Sequence, residues 1–528
     1  MINSKNKYIY FLFVIFIFLF LKIDFRLQND IFCCSDDSDY YMHTETLVED
    51  FDFDYKNQLG LYEDARFVSL DKKAPLAFPG MLFFASPFMY IGTLIDILLD
   101  KFSITVGVAN FKILFYSLSP IFYLFCSIIL LGKSLDHVGI KFKIFDLFIL
   151  SLGTGISYYA FERYSMSHVY EMFCSSMIIF LSIKFYNHKN ESKGLLIFIS
   201  FFIFLAFYVR WINYYFFFIP LIMKLMFFSD SKFNLYKNKF FIFSSILNIF
   251  IFLSLSKSIY GLFTLNAADI YGLNLATSAI EKTITNSGYI LMLLERIVII
   301  SFSQEFGIFW FQPIIFFSIF FSVYKFLISA KNYKLKYLLV ALSFLQILFI
   351  AISWGGTGSS FGWRYLMSLT PLAVIFYYYS KNNIKYNLIH YLLITFSIFS
   401  IFSTIFFETT SQTQLSLTKT INSYGSNALY VQRNFLTGYL KSIFTLEAYF
   451  KIFITSYLGL IIFKILISFV TLEKLVPLLE KYGLPVENEK FQLLSENTEM
   501  LSSIYFLIVT ITVFVSSYFF LKIINNRS

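Results

Sequence analysis

The stretch from Ser35 to Asn57 reads SDDSDYYMHTETLVEDFDFDYKN and opens on two adjacent carboxylates, Asp36 and Asp37. Between Asp30 and Asp64 the chain adds Asp39, Glu45, Glu49, Asp50, Asp52, Asp54, Glu63 and Asp64, with Lys56 as the one Lys or Arg. Paired carboxylates can take a proton from an attacking hydroxyl or hold a divalent cation, and the Phe, Ile and Leu around them can do neither. In a chain of net charge +9, so much acid in one place is an anomaly. Asp36 is therefore assigned as a catalytic base facing a reaction at the outer surface of a membrane. The plain alternative for Glu49 to Asp54 is a solvated loop.

The elements that must position this stretch are membrane helices. The 528 residues are 58% hydrophobic and 14% charged, with mean hydropathy +0.68. Apolar runs of roughly 17 to 25 residues recur, the length that spans a hydrocarbon core. The fold class is an all-α polytopic membrane protein of about eleven to thirteen transmembrane helices, with loops on the outer face. The 72 Phe and 38 Tyr accompany many Ile, Lys and Asn, and no cofactor stacking is read into them. The basic charge lies in short loops, which suits orientation by cytoplasmic Lys and Arg and contact with membrane lipid. No base-reading motif is present, so nucleic acid is excluded as a partner. Cys33, Cys34, Cys126 and Cys174 supply neither a disulfide framework nor zinc spacing.

The first apolar run, Tyr8 to Leu21, follows Lys5 and Lys7 and lacks a small-x-small cleavage site, so it reads as a retained first helix. It delivers the acidic stretch to the far side of the membrane, here the cytoplasmic (inner) membrane of the cell. Lysine-bearing connectors at 133–143, 184–193, 232–239, 331–336 and 381–385 then alternate with poorly charged ones. Further spans are expected near 105–131, 144–160, 171–186, 194–209, 211–227, 239–256, 310–328, 337–353, 365–379, 389–407, 449–470 and 501–523. Counting Pro79 to Leu99 as a span would put the acidic loop on the Lys133 side. With Pro79, Gly80, Pro87 and Gly92 breaking it, this segment is expected to be an interfacial helix or to re-enter without crossing. Residues 1–470, including an outer loop 24–103, form one transmembrane catalytic domain, and 471–528 form a cytoplasmic connector and a last helix.

Four outer turns carry the polar outliers: YYAFERYSMSHVYEM with Glu162, Arg163, His168 and Glu171, YVRWINYY with Arg210 and Asn213, SFSQEFGIFWFQP with Glu305, and SWGGTGSSFGWRYL with Trp354 and Arg364. Polar groups at a membrane edge are functional-site candidates. Each also has a bland reading: the arginines as snorkelling anchors, the tryptophans as belt residues, His168 as a structural histidine, and the Gly-rich turn as a tight bend.

Asp36-Asp37 directly after the first helix, followed by Tyr40 and EDFDFDYKN, resembles the first outer loop of the GT-C superfamily of polyprenyl-phosphate-sugar-dependent glycosyltransferases. PGMLFFASPF, YSMSHVY, VRWIN, EFGIFWFQP and WGGTGSSFGWRYL resemble that family's later motifs, in order, over roughly residues 9–375. Asp37 stands where a Glu is more common, Asp39 where the family has His, and Trp211-Ile212 where it has Pro-Thr. The resemblance implies a GT-C-like fold and a polyprenyl-phosphate-linked sugar as donor. Arg163, Arg210 and Arg364 would bind its phosphate, and Tyr40, Glu162, His168, Asn213, Glu305 and Trp354 would line the substrate site.

Asp36 would deprotonate the hydroxyl of a glycan, lipid or protein acceptor, with inversion at the anomeric carbon. Asp37 would orient Asp36 or share with it a divalent cation, Mg or Mn. A lipid-linked polysaccharide polymerase or ligase shares the donor chemistry. A transporter would carry its ionisable residues at mid-helix, where these spans are almost purely apolar. A non-enzymatic scaffold is the remaining class.

Overall fold

The computed structural model describes residues 35–58, 60–61, 66–69, 71–106, 110–187, 192–264, 269–270, 297–298, 300–302, 307–354, 361–381, 387–410, 440, 443–487 and 489–525. Helix α1 (Ser35–Glu49) precedes a ribbon of β1 (Phe67–Ser69) against β2 (Lys73–Pro75), antiparallel with Val68 opposite Ala74. A 3-10 turn, Pro79–Met81, leads into α2 (Leu82–Lys101). Next come α3 (Phe111–His137), α4 (Ile144–Leu152), α5 (Ile156–Phe161), α6 (His168–Asn187) and α7 (Lys193–Val209). The 3-10 helix Trp211–Phe218 continues as α8 (Ile219–Phe227), and α9 (Lys239–Tyr260) follows. After α10 (Ile308–Phe311), α11 (Pro313–Ile328) and α12 (Lys331–Trp354), the 3-10 helix Arg364–Leu369 enters α13 (Thr370–Lys381). The chain ends with α14 (Asn387–Thr410), α15 (Leu446–Thr455), α16 (Tyr457–Phe469), α17 (Leu472–Lys481), α18 (Glu489–Met500) and α19 (Ser503–Asn525).

Among the described residues five helical segments are long and apolar enough to cross a membrane: Pro79–Lys101, Phe111–His137, His168–Asn187, Lys239–Tyr260 and Leu388–Phe406. This is an all-α membrane protein with one small ribbon among the described residues. Several hydroxyls inside the spans bond back to carbonyls one turn earlier, as Ser127 does to Tyr123 and Ser182 to Ile178, which satisfies those donors in an apolar setting. Helix α6 is central, packed on α3, α7, α8 and α13. Its apolar window is 78% buried, against 28% for α9, which turns Phe243, Ile246 and Phe250 outward.

Contacts sort the bundle into two ends. Lys112, in the first turn of α3, pairs with Glu45 and Glu49 of α1, so α3 begins at the end where α1 lies. The start of α6 and the finish of α7 meet there too, where Arg210 reaches His168. At the opposite end the finish of α6 meets the finish of α3, where Asn187 Nδ2 donates to the His137 carbonyl.

Helix α2 is continuous despite Pro87, and by length alone it would cross. Its contacts nevertheless stay at the α1 end. Phe84 stacks on Tyr170 in the first turn of α6, Phe88 meets Phe122 and Tyr123, and Asp96 accepts from the N–H groups of Phe111 and Lys112. Gly80 and Gly92 permit this, because a Cβ at either would overlap backbone, of Tyr208–Val209 and of Phe111 respectively.

Two expectations need correction. The span expected near 144–160 breaks into α4 and α5 at Gly153–Gly155, with Gly155 at φ 78°. The span expected near 449–470 breaks at Ser456, whose extended backbone folds α15 and α16 against each other. In consequence, 471–500 does not form a connector at the opposite end. The chain returns to the α1 end, where Ser502 N–H donates to Val106 O at 3.4 Å and the Tyr505 ring lies 5.5 Å from Phe111.

Candidate active site

Helix α1 sets the geometry. Asp36, Asp39 and Tyr40 stand three or four residues apart, on one helical face, whereas Asp37 points about 100° away. Neighbours in sequence therefore meet different partners. Asp37 faces inward and is fully buried. It accepts from Arg163 Nε at 3.2 Å and Nη2 at 2.5 Å, and Ser165 Oγ donates to its backbone carbonyl at 2.7 Å. Arg163, just past the end of α5, is itself buried by this pairing.

Asp36 and Asp39 share a residue that the sequence reading did not single out, Arg66. Its backbone N–H donates to Asp39 Oδ1 at 2.9 Å, and its Nε and Nη2 donate to Oδ2 at 3.2 and 2.9 Å. The same Nη2 pairs with Asp36 Oδ1. From the far side, Arg364 Nη1 reaches Asp36 Oδ2 at 3.1 Å, across 328 residues of sequence. Asp36 keeps 28% of its side chain exposed, while Asp37 and Asp39 keep none, so Asp36 is the carboxylate a substrate can touch. Burial alone would raise its pKa, but Arg364 and Arg66, then Arg163 and Arg210, hold it well below the usual carboxylate range.

Beside this pair lies a second polar group. Glu171 Oε1 accepts from Ser167 Oγ at 2.8 Å and lies 3.2 Å from His168 Nδ1 and 3.5 Å from Arg210 Nη1. Glu171 Oε2 accepts from Asn213 Nδ2 at 3.1 Å. Arg210 ends α7 in extended backbone, which turns its side chain back over the site, and its guanidinium sits 4.5 Å from the centre of the Tyr365 ring. Arg364 lies against the same ring at 5.3 Å. His168 Nε2, Asn213 Oδ1, Asp37 Oδ1 and Arg364 Nε are buried with no protein partner. Four ion-paired carboxylates (Asp36, Asp37, Asp39, Glu171) thus meet four guanidiniums (Arg66, Arg163, Arg210, Arg364).

No protein-family model, curated protein or solved structure matches this chain. The site is therefore read from its own chemistry.

Of the residues singled out in the sequence, Asp36, Asp37, Arg163, Arg210, Arg364, His168 and Asn213 come together here. Tyr40 joins them, buried beside Ser167 and Arg210. Glu162 is buried at the end of α5, next to Arg163 in sequence. Glu305, the side chain of Trp354 and the first apolar run lie outside the described residues. Arg163 needs correction as a phosphate ligand, because Asp37 already engages its Nε and Nη2 where both are buried.

A divalent cation does not fit this donor set. Both oxygens of Asp36 and one of Asp37 already face guanidiniums, whose charge opposes a metal ion. Among the described residues no three His, Cys, Asp or Glu side chains group as a metal site.

Arg66 and Tyr365 were the residues missed. An acid pair at i, i+3 on one helical face calls for a cation opposite, and Arg66 is the first Arg or Lys after Lys56. Tyr365 had no comparable signal, being one Tyr among 38.

Proposed function

We propose that this chain is a GT-C type glycosyltransferase that moves a sugar from a polyprenyl-phosphate donor to an acceptor hydroxyl at the outer face of the cytoplasmic membrane. One observation carries the reading: a single accessible carboxylate, Asp36, lies between guanidiniums brought from remote segments, with unpaired buried donors and acceptors around it. A phosphosugar needs such a combination, namely cations for the phosphate, polar atoms for ring hydroxyls and one base.

In the step itself, Asp36 takes the acceptor's proton as its oxygen attacks the anomeric carbon. The bond from that carbon to the phosphate oxygen breaks with its electron pair leaving on oxygen, and polyprenyl phosphate departs. A single displacement inverts the anomeric centre. A carboxylate held far below its usual pKa is a weak base. The donor's phosphate offsets this, because it gives Arg364 a second anion to hold and loosens its grip on Asp36. Arg210 and Arg364 then stabilise the charge that grows on the leaving phosphate.

The test is transfer of radiolabelled sugar from polyprenyl phosphate by the purified protein and by Asp36→Asn. The substitution is expected to lower the rate by roughly 10² to 10⁴ fold. Transfer that persists at the original rate removes Asp36 from the chemistry.

A further inference from the structure

Two guanidiniums drawn together without an anion between them are unfavourable unless something holds them. Arg210 and Arg364 arrive from opposite halves of the sequence, are both about nine-tenths buried, and lie close enough for each charge to oppose the other. What they share is one aromatic ring, with Tyr365 against Arg210 at 4.5 Å and Arg364 at 5.3 Å. Their carboxylate partners do not saturate them. Arg210 lies 3.5 Å from Glu171 and 3.2 Å from His168 Nδ1, and Arg364 bonds Asp36 through Nη1 and also bonds the Tyr365 side chain, while its Nε is buried and unpartnered. Arg163 and Arg66, by contrast, each donate twice to a fully buried carboxylate. Arg210 and Arg364 are thus the buried pair at the Tyr365 ring that keeps donor capacity for a ligand.

We infer that Tyr365 is a positioning residue whose ring gathers Arg210 and Arg364 into one clamp for the phosphate of a lipid-linked substrate. This rests on the transfer reading for the identity of the lipid, but not for the clamp itself. The ring face is what the two guanidiniums share, since a guanidinium is drawn to the electron-rich face of an aromatic side chain, whereas the hydroxyl bonds Arg364 alone. The class of ligand follows from planar guanidiniums that offer parallel N–H donors, which match a phosphate's oxygens better than a neutral headgroup.

The experiment measures binding of a polyprenyl monophosphate in detergent micelles by titration calorimetry, with the uncharged polyprenol as control. The wild type, Tyr365→Phe and Tyr365→Leu are compared, and transfer is assayed in parallel. Phe keeps the ring, and its affinity is expected to stay within about threefold, whereas Leu is expected to lose roughly tenfold or more. In transfer, Leu should raise the donor KM by a similar factor. Arg364→Lys, which keeps the charge but loses the planar fork, should weaken binding as Leu does, and it decides the matter if the Leu variant melts early.

Leu or Lys variants that bind as the wild type does, or polyprenol that binds as tightly as its phosphate, would overturn the clamp. Binding with the expected pattern but no sugar transfer by the wild type would instead overturn the transfer reading and leave the clamp standing.

Discussion

At the scale of single residues, the site depends on which guanidinium answers which carboxylate. Arg66 does two jobs, fixing buried Asp39 and holding Asp36 ionised. Replacing it by Gln removes one of the charges that depress the Asp36 pKa, so that pKa rises towards its ordinary value. A base must be ionised to act, so the rate falls once the pH drops below its pKa. The acid limb of the pH–rate profile is therefore expected to move to higher pH in Arg66→Gln, measured under single-turnover conditions with the fold followed by circular dichroism. A limb that stays in place would mean that Arg66 does not set the charge of Asp36. The Asp36–Asp37 pair was legible because adjacent acids after an apolar run have few bland explanations. Which acid would be sealed and which left open was not, because that depends on a 100° turn of α1 against distant arginines.

At the scale of elements, His43 ties α1 to Tyr55 and Ala77 in the chain that follows it. The imidazole meets the Tyr55 hydroxyl at 2.7 Å through Nδ1 and the Ala77 carbonyl at 2.8 Å through Nε2. Burial pushes its pKa down to about 4, with the Ala77 contact pulling the other way. An unfolded histidine binds its proton near 6.5, so between about pH 6.5 and 4 the unfolded state holds more protons than the folded one. Stability contributed by His43 is thus complete above 6.5 and declines as the pH falls towards 4, by an amount on the order of a few kcal/mol. Melting temperature should fall over that window in the wild type and fall less steeply in His43→Gln. Equal slopes would remove His43 as that tie.

The existence of most helices was readable from apolar runs, but their breaks were not. Gly153–Gly155 and Ser456 look no different in sequence from residues that helices tolerate. Gly153 packs against Ser397, and Gly459, just after Ser456, packs against the Phe453 carbonyl.

At the scale of the whole molecule, the sidedness inferred from lysine-bearing connectors is open to direct test. With the four native cysteines replaced by Ser, Asp52→Cys and Lys237→Cys place single thiols at exposed positions near opposite ends of the bundle. A membrane-impermeant maleimide applied to intact cells is expected to label the first and spare the second until the membrane is opened. The reverse pattern would seat the carboxylates on the cytosolic side and end the proposal of outer-face chemistry. The gathering of distant turns at one end was legible as a pattern of polar residues at span edges. The return of residues 502–505 to that end was not, because it depends on the fold of α15 to α18 rather than on charge.

The pairing of four guanidiniums with four carboxylates around Asp36 also bears on turnover. A basin with surplus positive charge would grip the doubly charged lipid phosphate left after transfer and slow its escape. Here the carboxylates already offset the guanidiniums before the donor arrives, so the spent carrier is held by less net positive charge than an uncompensated clamp would supply. Compensation at rest favours letting go.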